Sequence, residues 1–173
     1  DTTRTAISHG MNLLALNPDQ RRAWQDDLDA VSPTAVEEIV RVASPVTYMR
    51  RTATRDISLS GQDFVEGDKL VMLYGSANRD ERVFADPERF DVRRDPNPHL
   101  GFGGPGPHFC LGAHLARREV SVAFRQLLTR LPDIEVDSPP VPLQGLGMPL
   151  VGGIKSLPVS FTPTAPLGPK QRT

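Results

Sequence analysis

The chain has 173 residues, with 20 Lys and Arg against 21 Asp and Glu, for a formal net charge of −1 at pH 7. That length allows one domain with a real core, and the charge balance offers no general attraction to nucleic acid or anionic lipid. No apolar run approaches the ~18 residues of a membrane span, no secretory leader is visible, and a lone cysteine suits a reducing, cytoplasmic setting.

The chain starts on Asp1 without an initiator Met, as if already inside a helix, and Ile7, Met11 and Leu14 fall on one helical face. The expectation is a piece of a longer protein. Asn17-Pro18 stops this helix and starts a second through 19–31, with Asn17 as cap and Pro18 at the first helical position. Ser32-Pro33 repeats that signal for a third helix over 33–43, ended by Ser44-Pro45. Residues 48–75 carry short runs rich in Val, Ile, Thr and Tyr, punctuated by Ser60-Gly61 and Glu66-Gly67-Asp68, which predicts two or three antiparallel strands.

From Ala77 to Phe109 the chain is rich in Pro, Gly and charge and has little periodicity; a loop this long in a compact domain is usually functional. A helical period returns after Cys110, where Ala116, Val120, Ala123, Phe124, Leu127 and Leu131 form an apolar stripe up to Pro132. The remaining segment predicts irregular chain and a small hairpin around Gly152-Gly153. A Pro-rich tail over 164–173 is expected to be disordered, leaving 1–163 as the folded part.

The long loop ends in GFGGPGPHFC. Gly101-x-Gly103-x-x-Gly106 has the letters of a dinucleotide-binding loop, but such a loop follows a buried strand. Here the preceding RRDPNPHL has no strand pattern, and Pro105 and Pro107 remove two N–H groups that would face a phosphate. The glycines serve the cysteine better: they let the backbone approach something flat and turn it so that Cys110 precedes the helix starting near Leu111. Unpaired N–H groups and the helix dipole there favour thiolate, the form that binds metal. His108, Cys110 and His114 also spell a partial zinc pattern, but a structural zinc normally takes four ligands and no second cysteine exists.

FGGPGPHFCLGAHLARRE resembles the haem-binding loop of the cytochrome P-450 family of haem-thiolate monooxygenases. Three further marks stand in the family's order: Glu38-x-x-Arg41 in EEIVR, Arg89 in DPERF, and Asp1-Thr2 in the opening DTT. The loop departs from the usual spacing, because Phe102 lies eight residues before Cys110 instead of seven. The extra residue falls between Phe102 and Gly106, while Gly106, His108 and Gly112 keep their offsets from the sulfur. This GFGGxGxHxC form is similar to that of bacterial members acting on sterols and methyl-branched lipids.

The resemblance implies the C-terminal half of a mainly α fold with small antiparallel β-sheets. It implies haem b with Cys110 as the axial thiolate, His108 and Arg51 on the propionates, and Phe102, Gly106 and Gly112 of the loop also in the cofactor-binding set. A one-residue slip in the strand would exchange Arg51 for Arg50. Glu38, Arg41 and Arg89 would form a buried structural network, with Glu37 outside it. Asp1 and Thr2 would serve proton delivery to bound dioxygen. The implied reaction inserts one oxygen atom from O2 into a C–H bond of a lipid or steroid. Its two electrons would come from NAD(P)H through a reductase and a ferredoxin-type donor, and Arg117, Arg118 and Arg125 would offer that donor a docking face. Val46, Met49, Met148, Leu150 and Val151 would line an apolar substrate pocket. A truncated, inactive fragment of such an enzyme, or a zinc- or nucleotide-binding module at 101–114, remains the alternative.

Overall fold

The computed structural model describes residues 1–143 and 150–165. Three helices come first: α1 (Thr2–Leu16), α2 (Pro18–Asp26) and α3 (Leu28–Ala43). Asn17 separates α1 from α2 with Pro18 in the first turn, as its sequence signal requires. The next break differs from expectation. It falls at Asp27, whose side chain accepts from Ala30 N at 3.0 Å, and Pro33 lies inside α3. One backbone N–H is lost at Pro33. Beside it, Ser32 Oγ donates to Leu28 O and accepts from Trp24 Nε1, tying α2 to the α3 backbone.

Four short strands follow, in two separate pairs. β1 (Tyr48–Thr52) runs antiparallel to β4 (Lys69–Leu73), and β2 (Ile57–Leu59) forms a hairpin with β3 (Gln62–Phe64). One turn of helix, α4 (Tyr74–Ala77), opens the long irregular segment that leads to α5 (Ala113–Arg130). Near the end, β5 (Glu135–Val136) pairs with β8 (Val159–Ser160), and β6 (Val141–Pro142) with β7 (Ile154–Ser156). The consecutive strands β6 and β7 thus pair antiparallel with Gly152-Gly153 between them, where a hairpin was expected, and β5 and β8 pair outside them. Gly152 N bonds Pro45 O at 3.0 Å, beside a bridge between Val46 and Val151. Of the tail, 166–173 lies outside the described residues.

α1, α3 and α5 pack on one another around Leu14, Ala35, Ile39, Val120 and Phe124, with Trp24 from α2 at 5.0 Å from the Phe124 ring. Gly10 is required here by close approach: a Cβ would lie 2.7 Å from Phe124 Cζ and 2.8 Å from Ile39 Cδ1. The stripe on α5 is read correctly at Val120 and Phe124, while Leu128 completes the buried face in place of Leu131. This packing fixes the α5 N-terminus, and with it Cys110, against α1 and α3.

Candidate functional site

Cys110 lies two residues before the α5 cap, Gly112. Its backbone is held on both sides: Cys110 N donates to Phe102 O at 2.9 Å, and Ala113 N donates to Cys110 O at 3.2 Å. The loop between turns through Gly103 (φ 87°) and Gly106 (φ 138°), left-handed positions that disfavour a side chain. Phe102 O closes the loop onto Cys110 N across these turns. Cys110 is free and exposed. It opens on a cavity of about 380 Å³ lined among others by Thr2, Val46, Met49, Phe102, His108 and Gly112. A second cavity, of about 530 Å³, is lined by Arg51, Tyr74, Gly106 and His108 among others. His108 borders both cavities, and Arg51, not Arg50, reaches the second; its Nη1 donates to Arg50 O at 3.0 Å.

The structure therefore gathers Thr2, Phe102, His108, Cys110 and Gly112 around one cavity, and Arg51, Gly106 and His108 around its neighbour. Asp1 stands exposed at the start of α1 and does not line either. Val46 and Met49 face the first cavity, Leu150 and Val151 do not, and Met148 lies outside the described residues. His114 is exposed, and no group of three or more His, Cys, Asp or Glu able to hold a metal ion occurs among the described residues. The glycine loop is also unsuited to a phosphate: Gly101 N donates to His99 Nδ1 and Gly103 N to Leu100 O.

Beneath the loop, Glu38 and Arg41 are wholly buried and form a two-pronged ion pair with both contacts at 2.8 Å. Asp91 N at 2.9 Å and Asn97 Nδ2 at 3.0 Å also donate to Glu38. Arg41 donates onward to the carbonyls of Asn78, Pro87 and Arg89. Here one expectation needs correction. Arg89 enters this network only through its carbonyl; its side chain is 63% exposed and lies 3.9 Å from Asp91. The second cation is Arg94, 12% exposed, with Nε 3.2 Å from Glu38. An Arg at 89 must point its long side chain away, because its backbone already occupies the space beside Arg41 and Arg94. A buried carboxylate demands more donors than Arg41 supplies, so the run Arg93-Arg94 in the same loop was the readable signal.

Glu37, set aside in the sequence, is also engaged. It accepts from Arg117 Nε at 2.5 Å and Nη2 at 2.9 Å, and lies 2.9 Å from His99 Nε2. Burial pushes the Glu37 carboxyl up, but the hydrogen bonds from His99 and Arg117 outweigh it and hold the group at about 2. Arg125 pairs with Asp29. Two of the three arginines expected to form a cationic face thus have an intramolecular carboxylate partner, Arg125 at the surface, and Arg118 is exposed.

Residues 1–149 match the family model described as Cytochrome P450. A methyl-branched lipid omega-hydroxylase of Mycobacterium tuberculosis is 55% identical over 162 residues, 94% of this chain and 37% of that protein. A steroid C26-monooxygenase of the same species is 43% identical over 167 residues, 96% of this chain and 37% of that protein. A Mycobacterium marinum cytochrome P450 solved in complex with pseudoionone superposes with a TM-score of 0.89 at 50% identity, covering 93% of this chain and 38% of that one. The chain thus spans well under half the length of the relatives it matches.

Proposed function

This chain belongs to the cytochrome P450 family, and from that premise we propose that it carries the sulfur side of a haem-thiolate monooxygenase acting on a methyl-branched lipid or steroid. The observation that carries this reading is the exposed sulfur of Cys110, opening on a largely apolar cavity bordered by His108. The residues suit haem b. A flat apolar ring suits a cavity lined by the cysteine loop and by Thr2, Thr3 and Ala6 of α1. Two carboxylates on one edge of such a ring would meet His108 and Arg51 around the second cavity.

Bound there, haem would supply the iron at which O2, two electrons and two protons yield one oxygen atom for a C–H bond and one for water. Cys110 would ligate that iron as thiolate, its backbone held by Phe102 O and by the start of α5. His108 and Arg51 orient the ring by its carboxylates. Thr2 lines the cavity on α1, across from the cysteine loop, and holds a proton there. Asp1, next to it in the chain, resupplies that proton. Val46 and Met49 exclude water and receive an apolar chain. NAD(P)H electrons arrive through a reductase and a ferredoxin-type donor. The relatives' lipid and steroid activities support the substrate class.

The test is the absorption spectrum of the full-length, haem-loaded protein after reduction and exposure to carbon monoxide. A strongly red-shifted Soret band is expected, and Cys110→Ser abolishes it. A wild-type band at the position of histidine-ligated haem, or a shifted band that survives Cys110→Ser, overturns the assignment. With redox partners and O2, hydroxylation of a methyl-branched fatty acid or a steroid is expected, and labelled dioxygen places one labelled atom in the product.

A further inference from the structure

Glu37 and Arg117 take no part in the Glu38 network, yet Arg117 reaches the start of the cysteine loop at Phe102. Arg117 extends from the second turn of α5 and grips Glu37 on α3 with two hydrogen bonds, at 2.5 and 2.9 Å. Its guanidinium carbon lies 4.4 Å from the centre of the Phe102 ring. Phe102 is the residue whose carbonyl holds Cys110 N. The His99 ring is 5.7 Å from that of Phe102, centre to centre. His99 Nδ1 accepts from Gly101 N, so Nε2 bears the proton directed at Glu37. Arg117 and His99, both bonded to Glu37, thus pack near Phe102 and fix where the loop begins.

We propose that the Glu37–Arg117 pair is a positioning and charge-setting pair for the Cys110 sulfur. It holds Phe102 in place and sets beside the start of the cysteine loop a cation whose charge Glu37 offsets. The inference rests on thiolate ligation as proposed above. A supporting observation is that Arg117 is held more strongly protonated than usual, first by its hydrogen bonds to Glu37, against the opposing effect of burial, and then by the charges of Glu37 and Cys110. The pair is only partly exposed, the side chains being 34% and 24% accessible, so solvent screens it incompletely.

The consequence has a sign. Reducing the iron adds one negative charge to the site. Glu37→Gln leaves the Arg117 cation uncompensated and favours the reduced form. Arg117→Gln leaves the Glu37 carboxylate uncompensated and favours the oxidised form. Loosening of the loop alone gives no reason for opposite signs.

The experiment measures the reduction potential of the full-length, haem-loaded protein and the carbon-monoxide band of its reduced form. Glu37→Gln is expected to raise the potential, Arg117→Gln to lower it, and the double variant to return toward wild type. Unchanged potentials, or shifts of the same sign in both single variants, overturn the proposal even if thermal stability falls. A wild-type protein without the red-shifted band removes haem-thiolate ligation and this proposal together. A wild-type protein with the band but without the opposed shifts overturns this proposal alone.

Discussion

At the scale of single residues, the buried Glu38 carboxylate dictates its surroundings. Five donor atoms converge on it, two from Arg41 and one each from Asp91, Arg94 and Asn97. Removing a partner from a buried pair costs more than the pair is worth, because an uncompensated charge stays behind. Arg41→Ala is therefore expected to destabilise the protein by about 3–5 kcal/mol. Arg94→Ala should lower the thermal midpoint clearly, and Arg89→Ala hardly at all, since the Arg89 carbonyl survives the change. Calorimetry of the three variants checks this order; equal losses at 89 and 94 contradict it. DPERF by itself pointed at Arg89, since a motif identifies a place in the loop but does not say whether its backbone or its side chain faces inward.

At the scale of elements, α1, α3 and α5 meet where Gly10 lets Phe124 and Ile39 close on the α1 backbone. Gly10→Ala inserts a methyl group into space already filled, and the expected cost is about 1–3 kcal/mol. Phe124→Ala empties the same place and should cost about 3–5 kcal/mol. Chemical denaturation midpoints measure both. Apolar periodicity made α1 and α5 readable, because a buried face repeats with the helical turn. It misplaced the α2–α3 break: Ser32-Pro33 has the letters of a helix start, but Asp27 makes the cap and Trp24 engages Ser32. Local start signals compete, and packing selects among them.

At the scale of the molecule, the cysteine loop hangs between two ionic anchors, the Glu38 network below it and Glu37 with His99 and Arg117 beside it. The second gives stability a pH dependence. Glu37 falls from an ordinary 4.5 to about 2 in the folded protein. Between those values the unfolded chain binds more protons, so stability rises with pH. Its contribution is complete above about 4.5 and is lost as pH falls toward about 2. Acid titration followed by circular dichroism should show Glu37→Gln with a shallower loss over that window. A slope identical to wild type contradicts the pairing. No helix among the described residues is long and apolar enough to cross a membrane.

Burial of the Glu38–Arg41 pair was legible only through the family resemblance, while local chemistry was enough to find the sulfur, the glycine turns around it and the main helices. Each depends on neighbours a few residues away, where spacing stands in for geometry. Tertiary structure decided that Arg94 replaces Arg89, that Glu37 engages Arg117 and His99, that Arg51 and His108 border one cavity, and that the last strands pair across the chain. Those contacts join positions far apart in sequence. They form only when burial excludes water and each polar group must find a partner in whatever backbone the packing brings near.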